Sequence, residues 1–320
     1  MRVEGCHKDW AEIETGTVMG IKLYRKPQLD KPVLFVGWPG IGNIGLLAVS
    51  TLKNLLKAEE FAEIESWDFF YPRKVTIRQG LLENLEFPTS KFYFQKSGRQ
   101  DVLFFTGEEQ PSEGGRMYAS GDKAFRMANL VLDVALQFGC RRVYTSGACV
   151  SAVHHQLRPR VCAVASSDEL RREVAGYSNT VLMSDLGGGR EGEGIITGLN
   201  GLLLGVAKKR GLEGLCLMGE IPDWLTGASF PYPKAARSIL EVFAEILETE
   251  MDLHVLDKME AHIEEVIDGL YAKFPPEVKQ EYDQRKVAAQ ERTGPITIQA
   301  KIFIDEAQRK GGDGSGGSPS

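Results

Sequence analysis

The sequence predicts an α/β protein: a three-layer α/β/α domain with a mostly parallel sheet and a helical C-terminal extension. Three observations predict it. Short apolar runs rich in β-branched residues alternate with amphipathic helical stretches, the pattern of strands covered on both faces. The first such run, KPVLFVGW, passes through a glycine-rich turn straight into a helix, the opening of a βαβ unit. After Pro233 the strands give way to consecutive helical patterns.

Taken in order, residues 17–24 read as an edge strand. The helix after KPVLFVGW carries Ile44, Leu47, Ala48, Leu52, Leu55 and Leu56 at helical spacing. Strands are expected near 61–70, 91–94 and 101–106. A helix over 122–138 turns Phe125, Ala128, Val131, Leu132 and Ala135 inward, and Gly139 ends it in the left-handed conformation glycine tolerates. Strands at 142–146 and 161–165, a helix over 194–209 and a strand at 215–219 continue the alternation.

Residues 234–253 read as an amphipathic helix, and a second places Val255, Met259, Ile263, Val266, Ile267 and Leu270 on one face before Pro275-Pro276 stops it. Residues 277–292 are highly charged, with only Val278 and Tyr282 as an apolar stripe: a weakly buried helix, or one that waits for a partner. In PITIQAKIFID the period changes to two, with Ile296, Ile298, Ala300, Ile302 and Ile304 on one face. That late strand must pair with the edge of its own sheet or a neighbouring subunit's. The closing GGDGSGGSPS has the composition of a disordered tail. The chain thus divides into a core domain at 1–253, a helical extension at 254–292, a strand arm at 293–306 and a tail at 307–320.

Over 320 residues, 42% are hydrophobic and 26% charged, enough apolar surface for a sizeable core. A net charge of -6 argues against nucleic acid as the main partner, because phosphate contact needs a basic face. The polar start MRVEGCHKDWAEIETG has no apolar signal region, and no apolar run approaches the roughly 20 residues of a membrane span. A soluble, cytoplasmic protein is expected. The cysteines Cys6, Cys140, Cys149, Cys162 and Cys216 form no C-x-x-C, so neither zinc nor a redox pair is signalled, and reduced core thiols fit best.

The sharpest motif is the loop from Gly37 to Gly45. Gly40, Gly42 and Gly45 satisfy G-x-G-x-x-G between a strand and a helix, and Glu63 and Glu65 stand where a ribose-binding acid would. The same glycines serve any tight strand-to-helix turn. Pro39 removes an amide donor just before the loop, and Asn43 is the natural N-cap. A phosphate-loop ATPase is disfavoured, since Asn43 and Ile44 replace the required Lys and Ser/Thr.

This loop, VGWPGIGNIG, resembles the signature of the proteasome assembly chaperone 2 family, and three further stretches are similar to that family in the same order. They are TSGACVSAVHHQLRPRVCAVASSDEL, with His155, Arg158 and Pro159; ITGLNGLLLGVAKKRGLEGLCLMGEIP; and YPKAARSILEVFAEIL. Coverage runs over about 31–270. The resemblance implies a nucleoside-phosphorylase-like three-layer fold. It also implies an ATP-independent assembly role, either as a homo-oligomer or bound to proteasome α-type subunits. The candidate ligand- or partner-binding residues are Pro39, Gly40, Gly42, Asn43, Gly45, His155 and Arg158; no cofactor, metal or catalytic set is assigned. The chain departs from members that end in a hydrophobic residue, a tyrosine and one more residue: it ends Ser318-Pro319-Ser320.

Other residues leave an enzyme or small-ligand binder on this scaffold as the alternative. Ser146 or Cys149 with His154 or His155 is a conceivable nucleophile and base, although no G-x-S-x-G elbow is present. His154 and His155, adjacent in an extended chain, would point to opposite faces. Glu191 and Glu193 lie in a glycine-rich loop that is either solvated or lines a crevice. Trp224, Phe230 and Tyr232 are either exposed for a protein partner or packed over the adjacent helix. His262 reads as a partly buried spacer.

Overall fold

The structure, a computed structural model, describes residues 16–18, 20–113, 119–186 and 194–291. The strands are β1 (Gly16–Val18), β2 (Ile21–Leu23), β3 (Val33–Gly37), β4 (Glu59–Ile64), β5 (Lys74–Arg78), β6 (Leu81–Glu86), β7 (Ser90–Gln95), β8 (Val102–Gly107), β9 (Arg142–Ser151), β10 (Val161–Ala165), β11 (Thr180–Leu182) and β12 (Glu213–Pro222). The helices are α1 (Ile44–Leu55), α2 (Gly121–Gln137), α3 (Asp168–Val174), α4 (Gly198–Lys209), α5 (Pro233–Ile246), α6 (Asp257–Tyr271) and α7 (Pro276–Glu291).

Ten strands form one sheet in the order β1-β2-β4-β7-β8-β3-β9-β12-β10-β11, and β5 and β6 form a separate hairpin. The sheet is mixed. Its centre, β8-β3-β9-β12, is parallel, while β1, β2, β4 and β7 run antiparallel to their neighbours and β10 is antiparallel to β12. The mostly parallel sheet expected above therefore describes the centre and the edge pair β10–β11, and not the other pairs. The reason is local: β1–β2 and β7–β8 are joined by short connections that reverse the chain, whereas helical connections, α2 from β8 to β9 and α3 from β10 to β11, bring the chain back in the same direction.

Side-chain alternation on the central strands creates the three layers. Leu34 and Val36 of β3 and Leu103 and Phe105 of β8 face α2 and α4, packing with Met127, Val131, Leu132 and Leu203. Phe35, Phe104 and Tyr144 point the other way, toward α1 and α5, packing with Ala48, Leu52, Ile239 and Phe243. Phe35 stacks on Tyr144 at 4.7 Å and meets Phe243 edge-on at 4.7 Å, geometries that aromatic quadrupoles favour. Ile263 and Ile267 of α6 join this second core. Cys140, Cys149, Cys162 and Cys216 are buried free thiols, as their apolar surroundings predicted.

Several helix faces differ from the periodic reading. Phe125 is half exposed on α2, because the buried stripe runs through Ala124 and Met127 beside the expected Ala128, Val131, Leu132 and Ala135. The helix expected over 234–253 ends at Ile246, where Glu248 takes a left-handed φ of 47°. Val255, Met259 and Leu270 are exposed, and α6 buries only Ile263 and Ile267. His262 is exposed rather than partly buried. The expected strand at 61–70 stops at Ile64, and the hairpin β5–β6 that follows was not foreseen. The strand arm at 293–306 and the tail at 307–320 lie outside the described residues.

Candidate functional site

The carboxyl ends of β3, β8, β9 and β12 converge on one rim, where an open α/β sheet forms its crevice. The glycine loop lies there and packs tightly against its neighbours. Gly45, in the first turn of α1, rests on the β9 backbone so closely that a methyl would overlap the Ser146 carbonyl. The Ser146 hydroxyl donates to the Gly45 carbonyl at 3.1 Å. Gly42 has φ 58°, and a side chain there would meet Tyr232 Cβ at 3.0 Å and Ile221 Cδ1 at 3.1 Å. The Tyr232 amide donates to the Gly42 carbonyl at 2.8 Å. Asn43 stands at the N-cap position of α1 but in the left-handed region (φ 46°), and its side chain makes no cap bond. The capping expectation fails because that backbone conformation turns the side chain away from the free amides of the first turn. Gly40 and Asn43 are exposed and Pro39 half-buried.

Gln110, unremarked in the sequence, ties this loop to α4: its amide donates to the Pro39 carbonyl at 2.6 Å, and its carbonyl accepts from the Leu199 amide at 3.1 Å. Asn200 then donates to the Ser146 carbonyl at 2.7 Å. The loop with Gly187–Gly189, Glu191 and Glu193 lies outside the described residues.

The dinucleotide reading does not survive the topology. Glu63 sits on β4, separated from β3 by β7 and β8, and pairs with Lys22 at 3.6 Å. The ribose-binding acid of a Rossmann fold ends the strand beside the first one.

On the other side of Tyr232, residues 154–157 form a tight turn in which the Leu157 amide bonds the His154 carbonyl at 3.0 Å. The turn folds the two imidazoles onto each other, 4.3 Å apart and 27° from parallel. This corrects the expectation of opposite faces, which assumed an extended chain. His154 Nδ1 accepts from the Gln156 amide at 3.1 Å, so the neutral ring carries its proton on Nε2, which lies 3.3 Å from Asp283. His155 Nε2 lies 3.0 Å from Asp268 and donates to that carboxylate.

Tyr271 covers the pair, 4.5 Å from the His155 ring, with Trp224 and Phe274 beside it and its hydroxyl donating to Asp283 at 3.1 Å. Trp224 is half-buried and Tyr232 buried, so these aromatics pack internally rather than standing exposed. Burial pushes His154 down to about 4, helped by the neighbouring His155 and Lys286. Burial also lowers His155, against the opposing pull of Asp268. Burial and the Asp283 hydrogen bond push Tyr271 up to about 12.

Lys234 donates to the His155 carbonyl at 3.3 Å and to Glu264 at 2.7 Å. These residues, with Tyr232 and Asp268, line a cavity of about 200 Å³, smaller than a drug-sized pocket of about 300 Å³ or more. Arg158 points away, exposed and paired with Glu241 of α5 at 2.6 Å. His155 and Arg158 are thus neighbours in sequence but not in one site. Beneath the turn, Arg160 grips the fully buried Glu220 through two parallel bonds of 2.8 and 3.0 Å. Cys149 packs with Cys162, Cys216 and Met218, and the Ser146 hydroxyl is engaged by Gly45. His155 therefore has an orienting carboxylate, while Ser146 and Cys149 are each held by other neighbours. Among the described residues no group of three or more His, Cys, Asp or Glu is placed to hold a metal, and no helix is long and apolar enough to cross a membrane.

Fold and rim together define a three-layer α/β protein whose strand-end crevice is packed by its own C-terminal helices. The chain belongs to the PAC2 family, whose sequence model matches residues 34–271. It is 30% identical to PbaB, an archaeal proteasome activator from Pyrococcus furiosus, over 78% of this chain and 97% of that one, with a TM-score of 0.64. PbaA of the same organism, an archaeal homolog of proteasome-assembly chaperone, superposes with a TM-score of 0.56 at 20% identity, over 84% of this chain and 99% of that one. An uncharacterized protein of Methanocaldococcus jannaschii is 27% identical over 78% of this chain and 86% of its own length.

Proposed function

We propose that this chain is a protein-binding assembly factor that acts as a homo-oligomer on proteasome α-type subunits without hydrolysing ATP. The observation that carries this reading is the 30% identity to PbaB over nearly all of that activator's length. The rim geometry supports it. Gly42 and Gly45 are consumed by packing on Tyr232 and Ser146, which leaves Pro39, Gly40 and Asn43 as the surface a partner touches, with the exposed Arg158 beside α5 as a separate contact. Gly42 and Gly45 hold the loop from behind, and His155 orders the neighbouring turn through Asp268.

The test is affinity capture by the tagged full chain from lysate of its source organism, with the bound proteins identified by mass spectrometry. Proteasome α-type subunits in stoichiometric amounts are expected. Recovery of the chain alone overturns the proteasome reading.

A second reading rests on the cavity of about 200 Å³ beside His155, Lys234 and Glu264, which offers a small ligand both charges and a neutral imidazole. A ligand at a hundred times its Kd adds about 2.7 kcal/mol of stability. Melting curves with phosphate, nucleosides and nucleotides therefore separate the two readings, and no shift is expected.

A further inference from the structure

The cavity beside His155 lies between the turn at 154–157, the start of α5 and one face of α6. Its lining side chains hold one cation, Lys234, and two carboxylates, Glu264 and Asp268, with Ile267 as an apolar wall. The cation is spent within the protein. An ammonium has three donors, and Lys234 places them on Glu264 at 2.7 Å, the His155 carbonyl at 3.3 Å and the Gln156 carbonyl at 3.5 Å. An anion entering the cavity therefore meets no uncommitted positive charge on its walls.

Acceptors, by contrast, are in surplus. Among the described residues Glu264 bonds through Oε1 and Asp268 through Oδ1, which leaves the second oxygen of each carboxylate open. The two stand four residues apart on α6, so they share one helix face and repel. His155 adds a third acceptor. Its Nε2 proton goes to Asp268, so the lone pair of the neutral ring is on Nδ1. The residue is only 4% exposed, and this nitrogen has no hydrogen-bond partner among the described residues. A buried acceptor without a donor is costly to hold, and a donor arriving from outside relieves it.

We propose that this cavity binds an alkylammonium group, whose N–H donors meet His155 Nδ1, Glu264 and Asp268 while its carbon chain lies on Ile267. Such a group brings donors where the walls have acceptors left over, and it sets a positive charge beside two carboxylates that Lys234 only half balances. The carboxylate side chains are 46% and 57% exposed, which leaves the mouth open for entry. The same ammonium stands on a free short amine and on the lysine side chain of a protein. This assignment rests on the small-ligand reading of the cavity and adds the sign of the ligand's charge. It agrees with the absence of a shift expected for phosphate and nucleotides.

Calorimetric titration of the full chain at neutral pH with putrescine and with Nα-acetyl-lysinamide is the test, with 1-butanol and inorganic phosphate as neutral and anionic controls. A Kd of about 1 mM or tighter is expected for at least one amine, and no binding of either control. Tighter binding of putrescine assigns the site to a free amine, and tighter binding of the lysine analogue assigns it to a protein side chain. Binding of neither overturns the proposal. Asp268→Asn should weaken the amine about tenfold or more. Glu265→Gln removes the same charge from an exposed position on α6 outside the cavity, and it should change the Kd by no more than about twofold. Equal weakening by the two variants would mean that general acidity holds the amine, and would overturn the site. Both variants should melt within a few degrees of wild type. A nucleoside that binds where neither amine does would keep the cavity as a ligand site and overturn the ammonium assignment alone.

Discussion

Gly40 and Gly45 stand five residues apart in one loop and carry different constraints. A methyl at Gly45 would overlap the Ser146 carbonyl, whereas nothing lies within 4 Å of one added at Gly40. Gly45→Ala should therefore cost about 1–3 kcal/mol or more in denaturant unfolding, and Gly40→Ala should stay within about 0.5 kcal/mol. The sequence pattern treats the two glycines alike, because a motif records that a side chain is absent and not what occupies its place.

The histidine pair shows the same gap. His155 was singled out by the motif, but its stacking on His154 was not legible, since it depends on the turn at 154–157 and on Tyr271 and Asp283 arriving from more than a hundred residues away. Their titration has a definite sign. Both rings sit below the open-chain value in the folded protein, His154 at about 4. The unfolded chain therefore takes up protons first as the pH falls. Their contribution is fully present above about pH 6.5 and falls as the pH drops, that of His154 being lost toward pH 4. Stability should drop by roughly 2–3 kcal/mol between pH 7 and 4.5 through His154. His154→Gln should show a shallower slope over that window, whatever its absolute stability.

At the scale of elements, long periodic segments were readable and exposed or irregular ones were not. Helix α2 was expected at 122–138 and lies at Gly121–Gln137, because its apolar stripe meets a sheet face directly. The hairpin β5–β6 escaped notice because Gln79-Gly80 is a weak turn signal and its apolar residues face away from the core. Helix α7 has the thin apolar stripe of a weakly buried helix or of one that waits for a partner, and polar contacts hold it to its own subunit: Tyr282 to Asp223 at 2.7 Å and Lys286 to Gln156 at 2.6 Å. Tyr282→Phe should cost about 1 kcal/mol. Removing 276–320 should uncover Tyr271 and Trp224, and a red shift of tryptophan emission would register it. An unshifted spectrum would mean that α7 does not shield them. The same truncation tests whether the arm at 293–306 is exchanged between subunits, with a change in native mass expected.

For the whole molecule, the three-layer architecture was legible because strands buried on both faces leave uninterrupted apolar runs such as VLFV. Strand order was not legible. Nothing local marks β12 for insertion between β9 and β10, a pairing made by residues 213–222 with strands 142–151 and 161–165. That insertion has a consequence during synthesis. The edge of β9 and the whole of β10–β11 have no central neighbour until β12 leaves the ribosome, some seventy residues after β9 ends. At about 5–20 residues per second the nascent chain carries an open β9 edge for roughly 4–14 s. A chain whose proposed work is to assist the assembly of other proteins thus passes through a window in which its own unfinished sheet is a target for holding factors that bind exposed strands.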